Sequence, residues 1–576
     1  KYHAGGERGS QGDSLCDLAV TLPPNPSHLE AVNPVVLGMA RAAGTDADQP
    51  GEPRFDCDRT LSLLIHGDAA FPGQGIVAET LNLSRLPGYW VGGAIHLIAN
   101  NQLGYTTTPE DGRSTHYASS LAKGFKMPIV HVNADDPEAC IEVIRLAVAY
   151  RQRFQKDFVI DVIGYRRYGH NEGDEPAFTQ PLMYETIRRH PTVRDLWAQA
   201  LSARGIVTAE DAASRMDQAM ARLQEEYDSL DPERDLREPY PKLAPPGTAR
   251  RVETSVPLDD LHALDKALLT LPDDFAQHPK LGRTMDRRRE ALGASDEPTV
   301  TWATAESLAL ASILADGIPI RFTGEDVERG TFNQRHAVFH DVKTGRTFTP
   351  LAALPQAKAA FEIHDSPLSE NAVLGYEYGY NIQEPGRLVL WEAQYGDFIN
   401  SAQVIVDEFI TSARAKWGQT PSLVLLLPHG YEGAGPDHSS ARLERFLNLS
   451  AENNLRVMNP TTPAQLFHLL RRQAKLLESD PLPLIVMTPK SLLRHPRVVS
   501  TMRELAEGRW QPILPDPRAE ESPDAIRRLF LCSGKVYFDL TGSDQREQHP
   551  EVAIARVEQL ALFPADELAP LLDGLP

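Results

Sequence analysis

The run from Leu61 to Gln102, LSLLIHGDAAFPGQGIVAETLNLSRLPGYWVGGAIHLIANNQ, decides the fold. An apolar stretch, Leu61–Ile65, ends in His66-Gly67-Asp68. A turn, Phe71-Pro72-Gly73-Gln74-Gly75, opens a helix-like segment, Ile76–Leu86. A second apolar stretch, Ala94–Ile98, ends in Asn100-Asn101-Gln102. Strand, helix, strand in this order builds a parallel sheet. Ligand groups of open parallel sheets collect at the carboxyl ends of the strands. Here those ends offer Asp68 and Asn101. Mg2+ takes oxygen ligands, one or two of them from protein and the rest from phosphate and water. A carboxylate and a neutral amide carbonyl suit that set. The glycines between them let backbone approach a diphosphate held at a helix N-terminus. The same residue types are also ordinary turn formers.

The alternation continues on both sides. Pro128–Val132 and Phe158–Ile163 read as strands, and Pro137–Phe154 as a helix started by Asp135-Asp136-Pro137-Glu138. Residues 182–240 are charged and helix-forming, an excursion from the first domain, which is read as 1–240. Pro239–Pro246 marks a break, and 241–300 reads as a linker. Helix and strand signals resume at Trp302–Asp316 and Ile318–Phe322. Further strands are expected at Leu388–Trp391, Ser422–Leu427 and Leu484–Met487, with helices near Glu370–Tyr378, Ser401–Ala413, Ser440–Asn448 and Pro463–Leu477. These make a second α/β domain over 301–500. Leu529–Cys532 begins a partial third domain over 501–576.

Composition narrows the function classes. With 41% hydrophobic and 24% charged residues, the 576-residue chain has the make-up of a soluble globular protein. A net charge of −21 lacks the basic footprint of a nucleic-acid binder. No apolar run is long enough to span a membrane. Cys16, Cys57, Cys140 and Cys532 are scattered without metal-type spacing, as in a reduced compartment. Arg outnumbers Lys and Ala is abundant, which points to a GC-rich bacterial genome and a cytoplasmic protein; a eukaryotic source would imply the mitochondrial matrix. The chain starts Lys1-Tyr2-His3 and stops at Pro576, and is expected to be part of a longer polypeptide.

Two α/β domains, the first with a metal–diphosphate site, suit a cofactor gripped by both, as thiamine diphosphate is. The second domain must then supply a carboxylate to the aminopyrimidine and an aromatic ring to stack on it. Glu370, in SPLSE, opens a helix, and Phe398, in QYGDF, follows a strand end. Taken singly, Glu370 also reads as a capping acid and Phe398 as core.

A family resemblance runs through the chain in order. It is carried by KYH (1–3), NPSHLEAVNPV (25–35), HGDAAFPGQGIVAET (66–80), NNQLGYTT (100–107) and HVNADDPEA (131–139). It continues through YRRYGHNEGDEP (165–176), RGTFNQRHAV (329–338), LSENAVLGYEYGY (368–380), LWEAQYGDF (390–398), LLPHGYEGAGPDHSS (426–440) and TPKSLLRHP (488–496). The chain resembles the thiamine-dependent decarboxylating component of the 2-oxoglutarate dehydrogenase complex. The resemblance implies an α/β fold of two doubly wound, transketolase-like domains that bind thiamine diphosphate. It implies Mg2+ on Asp68, Asn101 and the Leu103 carbonyl, and cofactor contacts from Ser27, Leu29, Ala69, Gln74 and Phe398. Glu370 is implied to bond the aminopyrimidine nitrogen. His3 is placed near the substrate's distal carboxylate, and His170 and His438 near the reacting carbon and the incoming lipoyl group. His336 also matches, without a role.

The implied reaction is oxidative decarboxylation of 2-oxoglutarate with reductive acylation of a lipoyl group, feeding succinyl-CoA formation in the tricarboxylic acid cycle. The implied partners are a lipoyl-bearing dihydrolipoyl acyltransferase, dihydrolipoyl dehydrogenase and a second copy of the chain. Tyr105 stands where 2-oxoglutarate members commonly have Phe and 2-oxoadipate dehydrogenases have Tyr, so 2-oxoadipate is the alternative substrate. A transketolase-like carboligase would share Asp68, Asn101 and Glu370 but not the GPDHSS or RRYGHNE strings; an inactive interaction fragment is the remaining alternative.

Overall fold

The computed structural model describes residues 3–8, 18–231, 241, 244–245, 247–291 and 295–574. Cys16 lies outside them. Two compact units make up the chain: Lys1–Gly44 with Cys57–Tyr240, and Thr45–Asp56 with Pro241–Pro576. Among the described residues no helix is long and apolar enough to cross a membrane.

The first unit is built on four parallel strands, β1 (Ser62–Gly67), β2 (Ala94–Asn100), β3 (Ile129–Asn133) and β4 (Phe158–Ile163), in the order β1-β2-β4-β3. One face is covered by Phe71, Val77, Leu81 and Met127, which pack with Ile98 and Val159. Ala147 packs on Ile95, Val132, Phe158 and Ile160 of the other face. The covering helices are α1 (Gly75–Leu83) and α2 (Pro137–Phe154). Asp136 caps α2 by accepting the Ala139 amide at 3.0 Å, and Gln155, in the left-handed region at φ 53°, ends it. Buried Arg151 of α2 donates to the carbonyls of Cys57 and Thr60 at 2.5 and 2.7 Å, tying the helix to the chain that enters β1. β1 is an edge strand; Leu63 and Ile65 on one of its faces are 48% and 66% exposed, and Leu61 just before it is 51% exposed. Three helices, Pro181–Arg189, Val193–Ala203 and Ala209–Ser229, occupy the segment expected to be helical.

The second unit holds a seven-stranded sheet. Its strands are β5 (Ile320–Gly324), β6 (Phe361–Asp365), β7 (Leu388–Glu392), β8 (Val424–His429), β9 (Arg456–Met458), β10 (Leu484–Pro489) and β11 (Gln559–Ala561). They run β6-β5-β7-β8-β10-β9-β11, parallel except for β11, which pairs antiparallel with β9. Residues of β5, β7 and β10 are buried throughout, as expected of parallel strands covered on both faces. Helices α3 (Leu258–Leu268), α4 (Trp302–Asp316), α5 (Asn371–Gln383) and α6 (Pro463–Lys475) flank it. Leu308, Phe322, Leu390, Phe467 and Val486 form its core. Two buried arginines cross-brace the interior. Arg321 pairs with Glu377 at 2.7 Å and Glu362 at 3.1 Å, and Arg335 with Glu306 at 2.5 Å and Glu392 at 2.6 Å.

Three details depart from the sequence reading. The span 241–300, read as a linker, contains α3, whose Leu261, Leu264 and Leu268 are buried in the second core. Ser401–Ala413 is not one helix. A 3-10 turn (Gly396–Ala402), a short α-turn (Gln403–Ile405) and a π-turn (Val406–Ile410) precede Ala413–Trp417. The hydroxyls of Thr411 and Ser412 bond back to the carbonyls of Val406 and Asp407 at 3.0 and 2.6 Å, competing with the regular ladder. Finally, the hairpin Thr45–Asp46/Arg54–Phe55, read with the first domain, belongs to the second unit. Ala360 and Phe361 donate to Ala47 and Gly51, both at 2.9 Å, covering the open edge of β6. Past residue 501, a three-stranded sheet of Ile513–Leu514, Arg528–Cys532 and Val552–Val557 precedes β11.

Candidate functional site

Register brings the first pair of residues together. β1 and β2 pair in parallel with Gly67 opposite Ala99, so Asp68 and Asn101 leave neighbouring strands side by side. The Asn101 backbone N–H also donates to the Asp68 carboxylate. Asp68 is 3% exposed. Burial pushes its carboxyl above the ordinary range, opposed chiefly by the Arg113 guanidinium, whose NH1 lies 3.5 Å from Oδ2. Asn101 Oδ1 accepts the Leu103 amide at 3.1 Å, an Asx turn that orders the strand exit. Gln102 and Tyr105 adopt left-handed backbone there, at φ 62° and 61°. Gly104 seats this loop on Ala69: a Cβ at residue 104 would meet the Ala69 Cβ at 2.8 Å.

These residues fit a metal–diphosphate group. A desolvated carboxylate gains from a divalent cation, and an amide oxygen stands on the next strand end. Open space lies beside Gly73 and Gly75 at the start of α1, where an added Cβ meets nothing within 4 Å. A helix N-terminus in that position favours an anion. Gln74 is exposed and Ala69 half-buried at the same turn. Ser27 and Leu29 lie on a neighbouring loop, exposed, with Ser27 Oγ 3.0 Å from His3 Nε2. Asn25 Nδ2 stands 3.3 Å from the other ring nitrogen of His3.

Tyr105 and His170 form a second pair, rings edge-to-face with centroids 5.0 Å apart. The His170 amide donates to Asp174 Oδ2 at 2.8 Å, and Arg166 NH1 lies 3.5 Å from the ring. Both Tyr105 and His170 are solvent-accessible.

In the second unit Glu370 stands just before α5. Ser401 Oγ lies 2.7 Å from Glu370 Oε2 and 2.8 Å from the Phe398 carbonyl oxygen. Phe398, Tyr395 and His438 form an aromatic cluster, with the Tyr395 and His438 centroids 4.1 Å apart and those of Phe398 and His438 5.7 Å apart. Nδ1 of His438 donates to the Ala434 carbonyl at 2.8 Å, leaving Nε2 as the ring's acceptor when neutral. Asp397 fixes the loop behind it by accepting the Ser440 and Ala441 amides, both at 3.1 Å. The structure thus groups Glu370, Phe398 and His438 in one unit, and Asp68, Ala69, Asn101 and Leu103 in the other.

The sequence reading missed the neighbours that tune these groups. Glu325, at the end of β5, hydrogen-bonds Glu370; burial, then the charges of Glu370 and Asp326, push its carboxyl up to about 7. Its strand-end position was its only signal, and nothing marked Ser401 or Arg113. A folded-state value above the ordinary 4.5 means that Glu325 binds its proton more tightly folded than unfolded. Its stabilising contribution is therefore full below pH 4.5 and is lost as pH rises through about 7. In urea titrations of the apo-protein, stability is expected to fall across this window, and to fall less in Glu325→Gln. Identical slopes would show that this carboxyl is not perturbed. His468, by contrast, is structural: its ring lies 2.8 Å from Thr254 Oγ1 and 2.9 Å from the Glu504 carbonyl, and burial holds its pKa near about 4.

Comparison with known proteins gives a consistent result. Three family models match in succession: dehydrogenase E1 component over residues 3–237, transketolase pyrimidine-binding domain over 298–496, and 2-oxoglutarate dehydrogenase C-terminal over 499–576. The chain is 52% identical over 585 residues to the 2-oxoglutarate dehydrogenase E1 component of Geobacillus sp. (strain WCH70), covering 100% of this chain and 61% of the relative. The proteins of the same name from Bacillus cereus (strain AH820) and Bacillus pumilus (strain SAFR-032) are each 50% identical; the matches cover 99% and 100% of this chain and 60% and 61% of the relatives. The chain thus spans about three fifths of the length of the curated relatives it matches. Among solved structures, a transketolase mutant from Pichia stipitis aligns with a TM-score of 0.52 at 14% identity, over 97% of this chain and 73% of that one. At that identity the likeness shows a shared fold alone.

Proposed function

Because the chain belongs to the 2-oxoglutarate dehydrogenase E1 family of thiamine-diphosphate-dependent enzymes, we propose that it carries the catalytic part of a 2-oxo acid dehydrogenase, with 2-oxoglutarate as substrate. The single observation that supports the chemistry best is the buried Asp68 beside Asn101 at adjacent parallel strand ends. In this reading Asp68, Asn101 and the Leu103 carbonyl hold Mg2+. Ser27, Leu29, Ala69 and Gln74 line the diphosphate, Glu370 bonds the aminopyrimidine, and Phe398 stacks on it. Thiamine diphosphate, when bound, supplies the electron sink that lets carbon dioxide leave a 2-oxo acid.

The protein's own residues hold and move protons around that centre. Glu370, bonded to Ser401 and Glu325, fixes the hydrogen bond that sets the cofactor's tautomer. His438, with Nδ1 tied to a carbonyl, offers Nε2 to the reacting groups, and His170 offers a second imidazole. His3 contacts the substrate's far carboxylate. We further propose the domain division 1–240, 301–500 and 501–576 as the family's, with the hairpin 45–56 and the helix α3 of the span 241–300 joined to the second of these.

The acyl group passes in this proposal to a lipoyl-bearing dihydrolipoyl acyltransferase, with dihydrolipoyl dehydrogenase completing the complex in the cytoplasm. A homodimer is supported by the edge of the first sheet, where Leu61, Leu63 and Ile65 leave the β1 end of one face exposed. The deciding experiment is reduction of an artificial electron acceptor by 2-oxoglutarate and by 2-oxoadipate, with and without thiamine diphosphate and Mg2+. Turnover that ignores the cofactor would overturn the reading. Tyr105, whose ring packs edge-to-face on that of His170, favours 2-oxoadipate as the second candidate. Tyr105→Phe is expected to shift the ratio of kcat/KM values toward 2-oxoglutarate by up to about tenfold, the scale of one altered pocket contact. An unchanged ratio would remove Tyr105 from specificity.

A further inference from the structure

Behind the strand ends of the first unit runs a continuous buried chain of four titratable side chains. Glu30 Oε2 lies 2.6 Å from His66 Nδ1, His66 Nε2 lies 3.0 Å from His96 Nδ1, and His96 Nε2 lies 3.2 Å from Asp157 Oδ2. Both imidazoles are at most 2% exposed. Their rings stack with centroids 5.2 Å apart, and Phe71 packs edge-on against His66 at 4.8 Å. Asn33 Nδ2 donates to the same Glu30 oxygen at 2.6 Å, which keeps that oxygen an acceptor and makes His66 Nδ1 a donor. Asp157 also accepts the Ala94 amide at 3.0 Å, so the far end is fixed to the start of β2. These three contacts between two carboxylates and two imidazoles leave no ring nitrogen idle; with each outer nitrogen donating to a carboxylate, the His66–His96 contact is a hydrogen bond when one of the rings carries both N–H groups. A flip of either ring would cost a buried carboxylate its imidazole partner, leaving Glu30 on Asn33 and Asp157 on the Ala94 amide, a loss felt at a desolvated site.

The ends of this chain matter for position. His66 lies two residues before Asp68 on β1. Glu30 follows Leu29 directly, and its backbone is left-handed at φ 69°, a strained conformation for a residue with a side chain. Such a residue persists when its surroundings hold it, and here the bonds to His66 and Asn33 do so. The loop it ends carries Ser27 and Leu29, and Ser27 in turn contacts His3.

We propose that Glu30 and His66 form a clamp that holds the Ser27–Leu29 loop against the strand end bearing Asp68, making both positioning residues for the diphosphate site. The proposal rests on the cofactor reading above. Neither residue touches the reacting atoms; the clamp sets where the loop sits before the cofactor arrives, and so acts on affinity more than on turnover.

The test uses Glu30→Gln, His66→Gln and the double variant of the full chain. The dissociation constant for thiamine diphosphate with Mg2+ is read by calorimetry on the apo-protein, and kcat at saturating cofactor in parallel. Each single variant is expected to bind the cofactor roughly tenfold more weakly, the scale of one charged hydrogen bond, with kcat within about twofold. The double variant is expected to be no worse than the weaker single, because both remove the same link. Amide exchange of residues 27–31 is expected to speed up in Glu30→Gln, a local change that a general loss of stability would not confine there. Unchanged affinity in both singles, additive losses, or unchanged exchange in that loop would overturn the clamp. Asp68→Asn separates the two readings. If it binds the cofactor as well as wild type, the cofactor site itself is wrong. If it fails to bind while Glu30→Gln is normal, only the clamp falls.

Discussion

Replacing Glu370 with Gln is expected to lower kcat by about 10²–10⁴-fold, the usual worth of one positioned acid–base group. The substitution is close to isosteric, so Ser401 keeps an oxygen partner at the start of α5 and the fold is spared. What disappears is the charge. In the proposed reading, a carboxylate at this position would favour the cofactor tautomer that starts the reaction, and an amide would not. Glu325 sharpens the effect: with its carboxyl pushed up to about 7, it is a proton donor to Glu370 in the neutral range. Turnover would be followed with an artificial acceptor, and cofactor binding by calorimetry. Retained turnover within tenfold of wild type would remove Glu370 from the chemistry. A surface variant such as Glu225→Gln, on the exposed helix Ala209–Ser229, serves as the reference.

The largest expected effect on stability comes from Arg321→Met. Arg321 is 1% exposed, bonded through Nε and NH2 to Glu377, paired with Glu362, and stacked over the rings of Tyr376 and Tyr380. Its two carboxylate partners are buried as well, at 0% and 5% exposure. Removing one member of a buried ionic group leaves uncompensated charge, a loss of about 3–5 kcal/mol. Met keeps much of the volume, so the loss isolates the charge rather than a cavity. The second unit's urea transition is expected to move to markedly lower denaturant. Neutralising the carboxylates together with Arg321 is expected to recover most of the loss. A shift below about 1 kcal/mol in Arg321→Met would show that water reaches this cluster.

The repeated α/β pattern was legible because it rests on local signals. Leu61–Ile65 and Ala94–Ile98 were apolar runs, and both are strands. Asp136-Pro137 announced α2, and Asp136 does cap it. The pairing of Asp68 with Asn101 was readable for the same reason, since a short crossover puts consecutive parallel strands side by side. What escaped the sequence was everything set by distant packing. β6 and β9 were not foreseen: FEIHD and RVM mix charge with apolar residues, because Glu362 and Arg456 are buried in ion pairs rather than exposed. Glu30, His66, His96 and Asp157 lie in four separate stretches, and each alone reads as an ordinary polar residue. Only the register of β1 against β2 and the left-handed turn at Glu30 put them in line.

The hairpin at residues 45–56 carries a consequence for how the molecule is made. Its carbonyls at Ala47 and Gly51 await amides at Ala360 and Phe361, more than 300 residues later in the chain. At about 5–20 residues per second, a ribosome needs on the order of 15–60 s to deliver that edge. During that interval the hairpin has no docking surface, and its closure adds one of the longest loops in the chain. Vectorial synthesis therefore cannot finish the two units one after the other. The early-made hairpin must be kept unpaired until β6 emerges, and separate expression of residues 1–240 and 241–576 would leave each half carrying an edge that belongs to the other.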